Sequence, residues 1–299
     1  MENITIKEFA EQVREEVAAR LDDTYEVSVN EVLKNNGVKY TGLVIRNGGV
    51  VAPTIYVDGA FRAFTERGYD MEMIVDGIMD KFNEADMVSF DASNLTGFDK
   101  AKGRICFQLV NATRNEELLA NTPHKQVAGD LCKIYVIMAG EFDDGIASAK
   151  INNSLMERWG VTLEDIDKIA NENTPNLLPA SVRSITSVMA ELMGVDEEEL
   201  NEVGALPIDV ATNRNRTNGA GVILYDNILK EYADKVGTDV YILPSSIHET
   251  LLVPATDAVD RDALARMVPC INSTELEAID FLSDNIFMYH RDTAEITVA

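Results

Sequence analysis

Residues 240–254, VYILPSSIHETLLVP, set two serines, a histidine and a glutamate inside an apolar run: Ser245, Ser246, His248 and Glu249. A histidine that takes the proton of a serine hydroxyl makes that oxygen a nucleophile, and a carboxylate behind the ring orients it. On that chemistry the chain is a hydrolase using Ser245 or Ser246 with His248. The local pattern favours another reading. A nucleophile elbow needs Gly-x-Ser-x-Gly between a strand and a helix, whereas Pro244 precedes these serines and more strand-like sequence follows. HExxH is excluded too, since residues 251 and 252 are both leucine. The stretch reads better as a tight turn between two strands, its serine hydroxyls satisfying nearby backbone groups.

A second candidate is the loop NRNRTNGA at 213–220, where Arg214, Arg216, Asn218 and Gly219 form a basic stretch in an acidic chain. Such a loop can hold an anion, with Gly219 permitting close backbone approach. The competing reading is an exposed loop whose arginines pair with neighbouring acids. It is not a P-loop, which needs Gly-Lys-Ser/Thr opening a helix. His124 sits in TPHK, a turn, and His290 ends an apolar run, so nothing predicts that the three histidines meet at a metal. Cys106, Cys132 and Cys270 form no CxxC and no Cys/His pair at ligand spacing. The first two read as buried small hydrophobes. Trp159 reads as packing a helix end onto the core. The pairs Asp22–Asp23, Asp143–Asp144 and Asp196–Glu199 lie at turns or helix ends without acid–base context. No metal and no cofactor is expected.

The charge narrows the partners. Of 299 residues, 51 are Asp or Glu and 26 are Lys or Arg, a formal net charge of −25. Such a chain is repelled by phosphate backbones, which opposes direct nucleic-acid binding. The acids are spread along helix-like segments, densest at 164–167 (EDID) and 196–202 (DEEELNE). They read first as solvated helix faces. The sharper alternatives are a surface that attracts a basic protein partner, or a decoy that imitates DNA. No stretch of about 18 apolar residues is present to span a membrane. The N-terminal MENITIKEFAEQVREEVAARL reads as an amphipathic helix rather than a secretory leader. Reduced cysteines point to a cytoplasmic protein.

The elements that must position these residues are helices mixed with locally paired strands. Apolar residues Ile6, Phe9, Val13, Val17 and Leu21 predict a helix over 5–21, with Thr5 and Glu8 as a capping box. Three strands joined by short turns follow over 25–33, 38–45 and 50–57. Strands at 105–111, 131–139 and 146–151, and helices at 154–159, 163–172 and 181–193, come next. The last third predicts strands at 207–212 and 221–225 and a helix at 227–236 capped by Asp226. It continues with strands at 240–243 and 249–253, a helix at 260–268 and a closing hairpin at 285–298. The fold class is α+β, with antiparallel or mixed sheets built from hairpins and packed amphipathic helices. The polar segment near 125 suggests two regions, 1–125 and 126–299.

Four stretches carry a family likeness: VLKNNGVKYTGL at 32–43, APTIYV at 52–57, NTPNLLPA at 173–180 and YILPSSIHE at 241–249. Together they resemble an uncharacterised bacterial family, a domain of unknown function encoded by many anaerobic Gram-positive gut bacteria. The likeness runs over nearly the whole chain and implies no activity, cofactor or catalytic residue. The basic loop at 213–218 departs from that likeness. The reading that follows is a non-catalytic, acidic, cytoplasmic protein that works through an interaction surface.

Overall fold

The computed structural model describes residues 4–48, 52, 54–87, 97–142, 145–200 and 207–299. The chain divides into two compact units, Met1–Asn94 and Leu95–Ala299. Gly49, the start of the strand expected at 50–57, the pair Asp143–Asp144 and residues 201–202 of the acidic segment lie outside the described residues.

In the first unit, helix α1 (Ile6–Arg20) begins at the expected capping box. The Glu8 amide donates to Thr5 Oγ1 at 3.3 Å, and the Thr5 amide donates back to the Glu8 carboxylate at 2.8 Å. Phe9, Val13 and Val17 fall on one stripe of the helix and are buried, as a 3.6-residue period requires. Strands β1 (Glu26–Leu33), β2 (Lys39–Arg46) and β3 (Thr54–Tyr56) form an antiparallel meander. The β1–β2 turn sets Asn36 and Gly37 at φ 58° and 71°, a left-handed geometry that these two residues tolerate best. Helices α2 (Asp58–Arg67) and α3 (Met71–Met87) follow. The Phe9 ring packs against those of Phe61 and Phe64, at centroid distances of 5.3 and 5.2 Å.

The second unit holds two antiparallel sheets. In one, β6 (Leu131–Phe142) has β4 (Ile105–Asn111) along one edge, with β5 (His124–Ala128) and β7 (Gly145–Lys150) along the other. Helices α4 (Asn153–Trp159) and α5 (Leu163–Leu177) follow. The rest of the chain supplies β8 (Ala180–Ser184), α6 (Ile185–Met193), β9 (Asp209–Asn213), a 3-10 stretch (Gly219–Leu224) and α7 (Ile228–Val236). It ends with β10 (Val240–Leu243), β11 (Thr250–Pro254), α8 (Arg261–Glu275), β12 (Phe287–His290) and β13 (Glu295–Val298). The second sheet runs β13-β12-β10-β11-β9-β8, so β8 and β13 are its edges. Phe107, Tyr135 and Ile137 of the first sheet share a core with Val240, Ile242, Leu252 and Phe287 of the second. The 3-10 stretch packs in the same core, and a Cβ on Gly221 would come within 3.0 Å of the Phe107 ring. The fold is α+β.

Several elements differ from the sequence expectation. The polar segment around 125, where a boundary between two regions was expected, is crossed by pairing: β5 runs through it, and β4 pairs with β6 across it. The compact units part at 94/95 instead. Residues 180–184 form an edge strand because they pair with β9 from Ala180↔Asn213 to Ser184↔Asp209. Ser184 then caps a helix that starts only at Ile185. Residues 221–224 are 3-10 helix rather than strand, and Tyr225 is the extended residue that ends it. Asp226 is not the cap of α7. Asn227, at φ 68°, holds that position without a side-chain bond. Helix α5 continues through Pro175 and α8 through Pro269, beyond the ends expected at 172 and 268.

The ring cluster around α1 makes the first unit sensitive to a single truncation. Phe9→Ala is expected to cost that unit about 3–5 kcal/mol, read as an earlier urea transition of residues reporting on the first unit by hydrogen exchange.

Candidate functional site

The hairpin expected at 240–254 forms, with Val240 opposite Pro254 and Leu243 opposite Leu251. Its serines serve the backbone. Ser246 is buried, bridges to Phe281, and accepts the His248 amide on its Oγ at 3.0 Å. The Ser245 carbonyl accepts the Leu282 amide at 2.8 Å. The His248 ring is spanned on both sides. Its Nδ1 accepts the Asn218 amide at 3.2 Å, and its Nε2 meets Asp280 Oδ1 at 3.1 Å. With Nδ1 accepting, the ring proton sits on Nε2 and is donated to Asp280. Neither nitrogen is left to take a proton from a serine. Glu249 is exposed.

The contact with Asn218 joins the two candidate stretches. Thr212 Oγ1 donates to the His248 carbonyl at 2.7 Å, and the Ala220 amide donates to the Ile247 carbonyl at 3.0 Å. Gly219 lies in this seam. A Cβ there would come within 2.6 Å of both the Asn213 amide nitrogen and the His248 carbonyl oxygen, and closer still to Thr212 Oγ1. The close backbone approach expected of Gly219 is real, and its neighbour is protein. Buried Asn213 closes the loop by donating to the Thr217 carbonyl at 2.8 Å and accepting the Thr217 amide at 3.3 Å. Arg214 is exposed. Arg216 pairs with Glu191 of α6, which also pairs with Arg183. The bonds from Arg183 and then Arg216 hold the Glu191 carboxyl below its usual value.

The remaining residues singled out in the sequence stay apart. His124 begins β5 rather than lying in a turn, and its Nδ1 is 2.9 Å from the Thr122 carbonyl. His290 ends β12 and meets Thr297 Oγ1 at 2.9 Å. Among the described residues no three His, Cys, Asp or Glu side chains gather as a metal site. Burial pushes the Cys106 thiol up to about 12, against a hydrogen bond from Thr174, and the Cys132 thiol up to about 11. Both are protonated and inert at neutral pH. Trp159 packs against Phe98 at 5.5 Å, closing the end of α4 onto the core.

A buried charge cluster was not anticipated. Lys125 of β5 and Lys133 of β6 stand directly opposite each other. Asp167 of α5 bonds to both, at 2.6 Å to Lys125. Tyr135 donates its hydroxyl to Asp167 at 2.9 Å, and Lys133 also donates to Asn171 Oδ1 at 3.0 Å. Burial works against the charged form of Asp167, but the bonds from Lys125, Lys133 and Tyr135 outweigh it and hold the carboxyl down to about 2. Burial, with the bond to Asp167, keeps the Tyr135 hydroxyl protonated well above its usual range. The cluster opens on a cleft of about 660 Å³ along α5. Two signals in the sequence pointed here. Lys133 is the one charge in the apolar run 131–139, on the same parity as Leu131, Tyr135 and Ile137. Asp167 adjoins the buried stripe of Ile166, Ala170 and Thr174, although the EDID run as a whole reads as a solvated face.

Two outcomes test these clusters. Gly219→Ala is expected to destabilise the second unit by about 2–3 kcal/mol, because backbone atoms cannot retreat from the new methyl. His248→Ala should cost about 1–3 kcal/mol by orphaning Asn218 and Asp280, both read by urea denaturation. The Asp167 network sets an acid limit. Its carboxyl titrates near 2 in the fold against an ordinary value of 3.8. The unfolded chain therefore takes up the proton first as pH falls. The stabilisation is complete above about pH 4 and is lost between about pH 4 and pH 2, about 2 kcal/mol in all. Asp167→Asn should flatten that part of the urea-midpoint profile while lowering stability at pH 7 by about 3 kcal/mol, since it strands the buried Lys133 charge.

No curated protein and no solved structure matches the chain. A family described as "Family of unknown function (DUF5688)" matches residues 6–291, which spans both compact units. With that match over nearly its whole length, the chain belongs to the DUF5688 family.

Proposed function

We propose that the protein is a non-catalytic binding protein that docks a basic, apolar-anchored protein partner on α6 and the adjoining edge strand β8. The observation that carries this is the exposure of α6. Ile185, Val188, Met189, Leu192 and Met193 lie at positions i, i+3, i+4, i+7 and i+8, the stripe that a helix turns to its core. Here Met189, Leu192 and Met193 are 45%, 73% and 61% exposed, and Ala190 is the buried residue of the helix. Val195 just past α6 is also exposed. Apolar surface of this kind marks a binding face, and methionine adapts its shape to a partner. Strand β8 adds an open edge able to accept an extended segment. Exposed Asp196, Glu197 and Glu198 flank the helix. With the net charge of −25, they favour a basic partner and speed its encounter. A hydrolase built on Ser245 or Ser246 has less support, because His248 is engaged on both ring nitrogens.

Native mass spectrometry of the protein purified from its own host tests the reading. The expected result is a stoichiometric protein partner rich in Lys and Arg that is lost from the Leu192→Glu, Met193→Glu double variant. Thermal unfolding of that variant should stay within about 0.5 kcal/mol of the parent, as for exposed positions generally. A bare monomer, or a partner retained by the variant, would overturn the proposal. So would stoichiometric labelling of Ser245 or Ser246 by a serine-reactive phosphonate.

A further inference from the structure

We infer that the charged cleft along α5 binds a short apolar peptide with free termini, two residues long. The inference stands on a part of the second unit separate from α6. At its buried end, Lys125 and Lys133 share the single carboxylate of Asp167. Two positive charges against one negative leave an unmatched cation, and Lys125, with its side chain 54% exposed, keeps ammonium protons to donate. Lys168 and Glu164, one turn apart on α5, line the same wall and offset each other in charge, so the one excess cation remains. This end suits a carboxylate. At the other end, Glu172 and Asp226 line the cleft, and among the described residues neither pairs with a cation. That end suits an ammonium group.

The two ends are separated by the helix. Asp167 and Glu172 are five residues apart on α5, about 7.5 Å along the axis at ~1.5 Å per residue. In a free amino acid both charges sit on one carbon. Two extended residues span about 7 Å, so a dipeptide places its carboxylate at the lysines and its ammonium at the acids. Past Glu172 and Asp226 the cleft adjoins a second hollow of about 390 Å³, walled by Pro175, Pro179, Tyr225 and Ile228. That hollow accepts an apolar side chain. The inner cleft has apolar walls of its own at Val127 and Leu224.

Isothermal titration calorimetry on the full chain decides it, with leucyl-leucine as the probe. The expected result is saturable one-to-one binding. Acetylating the amino terminus or amidating the carboxyl terminus should each weaken binding at least about tenfold, the scale of one lost charge-assisted hydrogen bond. Lys125→Gln and Asp226→Asn should weaken the unmodified peptide by a similar factor. Both positions are exposed; a single cooperative thermal transition confirms that each variant folds, with Lys125→Gln expected to melt somewhat earlier because it removes one bond to Asp167. Absence of binding by leucyl-leucine would overturn the inference. Equal binding of the blocked peptides, free leucine or putrescine binding as tightly, or undiminished affinity in the variants would do so too.

Discussion

Asp167 is held between two lysines that face each other across β5 and β6, and much of the second unit is arranged around that contact. Like charges directly opposite on a sheet repel. Lys133 moreover lies on the core side of β6, where an ammonium group without a partner is costly. One carboxylate answers both problems, with Tyr135 and Asn171 completing the bonds. The contact also fixes the rotation of α5 about its own axis. With Asp167 and Asn171 turned to the sheet, Thr174 comes against β4, where it accepts the Phe107 amide at 3.1 Å. Glu164, Lys168 and Glu172 then face the cleft. The cleft is thus a consequence of how α5 must sit.

A second set of polar bonds explains how α6 keeps its apolar stripe in solvent. Glu191, on the polar side of the helix, bonds to Arg183 from β8 and to Arg216 from the 213–220 loop. Ser184 caps the first turn by accepting the Ser187 amide at 3.0 Å. Exposed ion pairs contribute little each, but these reach α6 from two directions and set which face turns inward. The loop that supplies Arg216 is itself fixed by Asn213 and by the seam with His248. The histidine that first suggests a base therefore helps to hold, through the loop, the helix that presents the apolar surface.

What could be read in the sequence was whatever local chemistry determines. The Thr5–Glu8 capping box, the Asn36–Gly37 turn and the hairpin at 240–254 depend on residues close in the chain, and each formed. What escaped depends on distant partners. Strand β8 exists because β9 lies beside it, and no property of ASVRS alone requires that. The 3-10 form of residues 219–224 follows from packing against Phe107 and the 247–248 backbone. The junction of loop 213–220 with His248 is a tertiary contact between two stretches that each looked like a separate candidate. Lys133 was legible in principle, since its strand parity points inward, but the acid that receives it lies 34 residues further along.

The chain's charge acts on its two proposed ligands in different ways. A net charge of −25 repels any carboxylate at long range, and salt limits that field to about 8 Å under physiological conditions. A dipeptide approaching the cleft is drawn first by its ammonium toward Glu172 and Asp226. Its carboxylate meets the unmatched cation of Lys125 and Lys133 only after it has entered. Entry is thereby oriented, with the amino end leading to the rim and the carboxyl end settling inside. For a basic protein the same field is attractive at every distance, so it speeds encounter with α6 without selecting a contact. Selection there falls to Met189, Leu192 and Met193, whose burial depends on shape.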